Sequence, residues 1–316
     1  MGRKARLCFL LILSLLSLSG CSGQSSPELN IPSEQSPITP PVIPDQPSTI
    51  PLPTPDQPPV TPPASPAQFP VIPSVVPDKP YVIPAAASPG DVIKTISFPE
   101  GISGVSDIVF DKSSQSLLIF VYDIATKWEV TKIMQIPIVS GIVLAEVNIN
   151  NPDFFMNHAS SFTKNDNYFY GTSYGYSNGV PQSLIYKIDF TGKVIGSFPC
   201  PSTNMDGFCK GVAWDGQYLW CGGSNNINLT KFSMDGLFIK EIGALDSVNN
   251  RVEAYDPEAN QLIVSTDNHL RLIDIITGAE VRSVYTGYSR IGDWDGKLFW
   301  AVNRDTRQFE GIYIGK

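Results

Sequence analysis

Histidine is scarce in this chain, with two in 316 residues, His158 and His269. That argues against a histidine-built metal centre, and the cysteines do not have the spacing of a zinc knuckle, so no resident metal is expected. Basic residues are outnumbered, 22 Lys and Arg against 30 Asp and Glu, for a net charge of −8. Bulk charge therefore gives nothing to attract nucleic acid. Glycine-rich phosphate cradles, Gly-x-Ser-x-Gly elbows and His-Glu-x-x-His are missing, which removes the commonest nucleotide, esterase and metalloprotease signatures. The apolar run Leu7 to Leu18 is too short to span a bilayer as a stable helix. No segment carries a convincing helical period; at most a turn of helix is expected in Asn150 to Asn157.

What is abundant is proline, and it is concentrated. Most of the 28 prolines lie between Ser25 and Gly90, a stretch with few aromatic residues. Such a segment buries too little apolar surface to offset the entropy of ordering itself. Proline fixes φ and removes a donor, so an extended polyproline stalk is expected, at ~3.1 Å per residue where it is straight. A spacer is one reading. A ligand for proline-motif domains is the other, although the prolines follow no fixed recognition spacing.

The rest of the chain, residues 91–316, repeats a short hairpin. Its clearest copy is Gly211-Val212-Ala213-Trp214-Asp215-Gly216-Gln217-Tyr218-Leu219-Trp220. Here Asp-Gly supplies the turn between two β-prone runs. Aligning on the aromatic before the turn gives Phe110, Phe162, Trp214, Tyr255 and Trp294, spaced as four-stranded propeller blades are. The count predicts an all-β, five-bladed β-propeller. Its last blade has three strands, including Gly311 to Gly315, and the alternating segment 91–98 is free to supply the fourth.

At the N-terminus, Arg3, Lys4 and Arg6 precede the apolar run, which reads as a signal peptide over residues 1–20. The run ends in Leu18-Ser19-Gly20-Cys21, which resembles the lipobox of bacterial lipoproteins. The resemblance implies cleavage before Cys21 and acylation of its thiol, palmitate included. Residues 21–90 then form a lipid-anchored linker, and the domain faces the extracytoplasmic side of a cell membrane or outer membrane. Ordinary secretion with an incidental cysteine is the alternative.

Propeller ligands bind where the innermost strands begin, four residues before each aligned aromatic. Those positions are Ser106, His158, Lys210, Arg251 and Arg290. Four of the five suit a local positive focus for an anionic ligand, with Glu253 and Asp293 as candidate acid or base groups and Asp107 nearby. Solvated loop charge is the plain alternative. Three cysteines remain in the domain. Cys200 and Cys209 bracket a short loop and are the favoured disulfide, with Cys209–Cys221 kept open. The oxygen-rich stretches Lys164-Asn165-Asp166-Asn167 and Asp293-Trp294-Asp295-Gly296 raise calcium as a cofactor, though neither matches the twelve-residue calcium loop. No other cofactor is expected. The tryptophans at strand positions read as core rather than as a sugar platform.

The hairpins Trp214 to Trp220 and Trp294 to Trp300, with Leu270-x-x-Ile273-Asp274-x-x-x-Gly278, resemble the generic repeat of bacterial extracytoplasmic propellers. Gly171 to Ser177 and Gly211 to Gly216 are loosely similar to repeats of five-bladed glutaminyl cyclases. That family's Phe-Thr-Gln-Gly-Leu start is absent, and Arg251-Val252-Glu253-Ala254 is the nearest approach to its Asn-Glu-Leu-Glu stretch, so no catalytic residue is carried over. Two functions follow as expectations. One is a membrane-anchored, monomeric module binding a protein, a glycan or a small anionic ligand. The other is a propeller enzyme, cyclase or hydrolase/lyase, acting on an anionic substrate at the central channel.

Overall fold

The computed structural model describes residues 81–123, 129–149, 159–177, 180–200, 208–223, 228–243, 250–287 and 291–315. Among these, the regular elements are strands, arranged as five four-stranded antiparallel sheets. Blade one is β2 (Gly104–Asp111), β3 (Ser116–Asp123), β4 (Glu129–Pro137) and β5 (Ala145–Asn148), preceded in the chain by β1 (Val92–Ser97). Blade two is β6 (Ala159–Lys164), β7 (Tyr168–Ser177), β8 (Val180–Asp189) and β9 (Val194–Pro199). Blade three is β10 (Cys209–Trp214), β11 (Leu219–Gly223), β12 (Leu229–Phe232) and β13 (Phe238–Ile242). Blade four is β14 (Arg251–Asp256), β15 (Gln261–Ser265), β16 (His269–Asp274) and β17 (Glu280–Tyr285).

Blade five is β18 (Gly292–Trp294), β19 (Phe299–Asn303) and β20 (Gln308–Ile312), and β1 pairs antiparallel with β20 to complete it. Blade five is thus completed by the strand that precedes blade one in the chain, the closure that the free segment 91–98 suggested. The third strand of this blade begins three residues earlier than Gly311. Its β19–β20 turn is held by the Asn303 side chain, which accepts from the Asp305 and Thr306 amides, with Arg307 at φ 55°. The first strands β2, β6, β10, β14 and β18 each touch the next, and β18 touches β2, which closes an inner ring.

The core is divided among the five blade junctions. Phe120 and Phe162 stack at 3.7 Å between blades one and two. Val252 and Leu262 of blade four pack with Trp220 of blade three. Ile96, Phe309 and Trp300 join the closing blade to Ile108 and Ile119 of blade one. Alternation along each strand places one face against each neighbouring blade, so the inner and middle strands are buried on both sides.

The Trp-Asp-Gly hairpin has a definite structural use. Asp215 Oδ1 accepts from the amides of Gln217 (2.9 Å) and Tyr218 (2.7 Å), while Oδ2 accepts from Trp220 Nε1 at 2.8 Å. In blade five Asp295 does the same with Lys297, Leu298 and Trp300. The aspartate therefore caps its own turn and also satisfies the one polar group of a fully buried tryptophan. The second partner of Oδ2 differs. It is Lys231 Nζ at 2.9 Å in blade three and the Tyr81 hydroxyl in blade five. Tyr81 also meets Trp300 edge to face. The chain is thus already packed on blade five at residue 81, ten residues before the expected start of the domain.

Candidate functional site at the inner ring

Blade two corrects the sequence alignment. The turns beginning at Asn165, Asp215 and Asp295 are equivalent, each amide donating to the carbonyl three residues on (Tyr168, Tyr218, Leu298). The residue before the turn is then Lys164, not Phe162, a shift of two. The cause is local chemistry, because Lys164-Asn165-Asp166-Asn167 builds the same turn without an aromatic or a glycine, while Phe162 is used in the core facing blade one. Ser106, Ser160 and Lys210 sit at equivalent register shifts of the first strand, and blade four places Glu253 at its own. His158 and Arg290 lie outside the described residues. Cys21 lies outside them too.

Of the expected site residues, the structure brings together Lys210, Arg251 and Glu253, with Asp107 coupled electrostatically to Glu253. Arg251 Nε stands 3.0 Å from Glu253 Oε1. Lys210 is half-buried; burial lowers its pKa and the Arg251 charge lowers it further. The focus is therefore mixed in sign, because a buried carboxylate answers the arginine.

The three acids have a common task. Asp107, fully buried, accepts from its neighbour Ile108 at 2.8 Å and, across the junction, from the Phe162 amide of blade two. Glu253 Oε2 accepts from the Gly292 amide of blade five at 3.5 Å. Asp293 accepts from Trp294 and, across the closing junction, from the Phe110 amide of blade one, both at 2.8 Å. At the junction of blades two and three the same work is done by hydroxyls. Ser161 Oγ accepts from Val212 N (3.2 Å) and Thr163 Oγ1 from Trp214 N (3.1 Å). Between blades three and four the backbones themselves come close. Gly211 lets the strands approach so closely that a Cβ there would lie 2.4 Å from both the amide nitrogen and the carbonyl oxygen of Val252. Every junction of the inner ring is thus closed by a polar stitch or by direct backbone approach.

Burial sets the protonation of these acids. It pushes Glu253 up to about 7, against the opposing pull of Arg251 and the Gly292 amide. It pushes Asp293 up to about 7 against the Phe110 and Trp294 amides. Asp107 is raised too, first by burial and then by the Glu253 charge. The calcium candidates are built differently: one carboxamide or carboxylate oxygen of Asn165 and of Asp295 accepts two turn amides.

Sequence reasoning missed Ser161, Thr163 and Gly211 as junction residues. It also did not place Cys221 with both other cysteines. The Sγ atoms of Cys200, Cys209 and Cys221 all lie within 4.8 Å of one another, buried, as free thiols. Burial raises all three pKa values, but hydrogen bonds from Cys209 and Cys221 outweigh it at Cys200, which becomes the most acidic of the three.

No protein-family model and no curated protein matches the chain. Among solved structures it is similar to a chain in the crystal structure of a nidogen/laminin complex, with 11% identity and a TM-score of 0.48, over 66% of this chain and 76% of that one. It is also similar to the β-propeller domain of Myceliophteria thermophila Cps50 (Swd1), with 11% identity and a TM-score of 0.39, over 67% and 84%. The fold rests on the five sheets themselves, which make this chain an all-β, five-bladed β-propeller.

Proposed function

We propose that this protein is a lipid-anchored extracytoplasmic module, held to its membrane through acylated Cys21 and the proline-rich stalk, whose propeller binds a protein partner at its outer rim. The observation that carries the reading is the exposure of Leu237, Phe238 and Ile239 on and beside the outer strand β13, at 69%, 54% and 45%. An aliphatic and aromatic run of this kind gains by desolvation against another apolar surface, at ~25 cal/mol per Å² buried, which suits a protein better than a polar glycan. Blade three's outer edge also contacts those of its neighbours. Gly236 lies against Phe198 of blade two, and Lys240 Nζ donates to the Ile275 carbonyl of blade four at 2.7 Å. Ile195 and Ile276 on those blades are exposed as well. Meanwhile the inner-ring acids are engaged in holding blades together.

The test is crosslinking in cells that make the full chain. The double variant Leu237→Asp/Phe238→Asp should lose a protein crosslinked by the wild type while its thermal unfolding is unchanged. Identical crosslinking by both chains rejects the rim.

One observation favours a second reading. Two carboxyl groups with pKa values pushed up to about 7 are poised for proton transfer near neutrality, the condition for an enzyme acting on an anionic substrate beside Lys210 and Arg251. In that reading Glu253→Gln abolishes turnover and leaves the fold intact. Turnover that survives the change removes Glu253 from the chemistry.

A further inference from the structure

The link from blade two to blade three converges on three sulfurs. Cys200 directly follows β9, Cys209 opens β10 and Cys221 is central in β11. Each is fixed by backbone bonding. The Cys200 amide donates to the Ser183 carbonyl at 2.9 Å, the Cys209 amide to Ser183 Oγ at 3.0 Å, and Cys221 is laddered opposite Val212. The surroundings are apolar, with Tyr170, Ile185, Leu219 and Phe232 in the same cluster. Among the described residues, no histidine or carboxylate joins the group.

We propose that Cys200, Cys209 and Cys221 form a three-coordinate site for a thiophilic monovalent cation of the Cu(I) class. Three features lead there. The first is distance: metal–sulfur bonds of about 2.3 Å in a trigonal plane separate the sulfurs by about 4 Å, inside the 4.8 Å within which all three lie. The second is ligand type, since an all-sulfur set selects soft ions over calcium, magnesium or manganese. The third is number. Structural zinc takes four ligands in a tetrahedron, whereas this group offers three, two on paired strands and one directly after β9. Binding changes no oxidation state: sulfur–metal bonds form and the thiol protons pass to solvent. A disulfide between any two of the three would instead strand the third thiol in the core.

The experiment uses the reduced full chain, titrated anaerobically with Cu(I) against a chromophoric Cu(I) chelator, alongside the variants Cys200→Ser and Cys221→Ala. The expected result is one strongly held Cu(I) per chain, with three sulfur neighbours by X-ray absorption. Each variant should lose more affinity than the roughly 10- to 100-fold that removing an outer-shell partner costs. The X-ray absorption readout on the wild type stands even if a variant fails to fold. Competition that leaves Cu(I) with the chelator overturns the proposal, as does tighter binding of Zn(II) in the same assay. So does a disulfide among these three cysteines in the chain isolated without reductant.

Discussion

Around the channel, polar side chains are buried and reach across blade junctions; on the outer strands, large apolar side chains stand in solvent. Asp107 and Glu253 have almost no exposed surface and accept amides of the next blade, whereas Leu237 and Phe238 are more than half exposed. Polar side chains thus do packing work at the inner edge, while apolar side chains are left uncovered at the outer one. The reason is geometric. An inner strand has no further strand on its channel side, so its outward amides need acceptors from the neighbouring blade, and a buried amide left alone costs ~1–3 kcal/mol.

The contrast can be broken most severely at Gly211. Gly211→Ala drives a methyl group into the Val252 backbone, which no side-chain rotation relieves. A loss of ~3 kcal/mol or more is expected by chemical denaturation, at the upper end of overpacking costs. Asp107→Ala follows, with an expected loss of ~2–3 kcal/mol as the Phe162 and Ile108 amides lose their acceptor.

The pH dependence sharpens the same point. Glu253 and Asp293 are raised from 4.5 and 3.8 to about 7 in the folded protein. The native state therefore holds protons that the unfolded chain has released, and stability falls as pH rises from about 4 to about 7, by at most ~1.4 kcal/mol per pH unit for each group. Asp111 and Asp215 run the other way. Burial would raise them, but Lys164 and Lys231 with neighbouring donors hold them low, so their contribution is lost as pH drops below about 4. A thermal-unfolding series should peak on the acid side of neutrality; a plateau through pH 8 contradicts the assignment. The smallest effect belongs to the outer edge. Phe238→Asp should change stability by no more than ~0.5 kcal/mol, since the side chain is exposed.

The sequence made the blades legible wherever an aromatic, an Asp and a glycine marked the hairpin, as at Trp214 and Trp294. It misled at Phe162, where an asparagine turn replaced the glycine and the nearest aromatic belonged to the core. The closing strand was readable because blade five lacked one and residues 91–98 alternated. The inner-ring acids were visible as residues but not as connectors. Asp293 and the Phe110 amide are 183 positions apart, and nothing local to either indicates the other. The thiol cluster was half visible: Cys200 and Cys209 are near in sequence, while Cys221 arrives through the β10–β11 hairpin.

The account turns on whether the inner-ring acids hold the propeller together, and Asp293 tests it most directly, because its bond to Phe110 crosses the closing junction. The measurement is the denaturation free energy of Asp293→Asn and Asp293→Ala at pH 7. Asn keeps an acceptor oxygen without a buried charge and should be at least as stable as the wild type, whereas Ala should lose ~1–3 kcal/mol. Equal stability of the Ala variant and the wild type would contradict the structural role and return Asp293 to the acid/base reading.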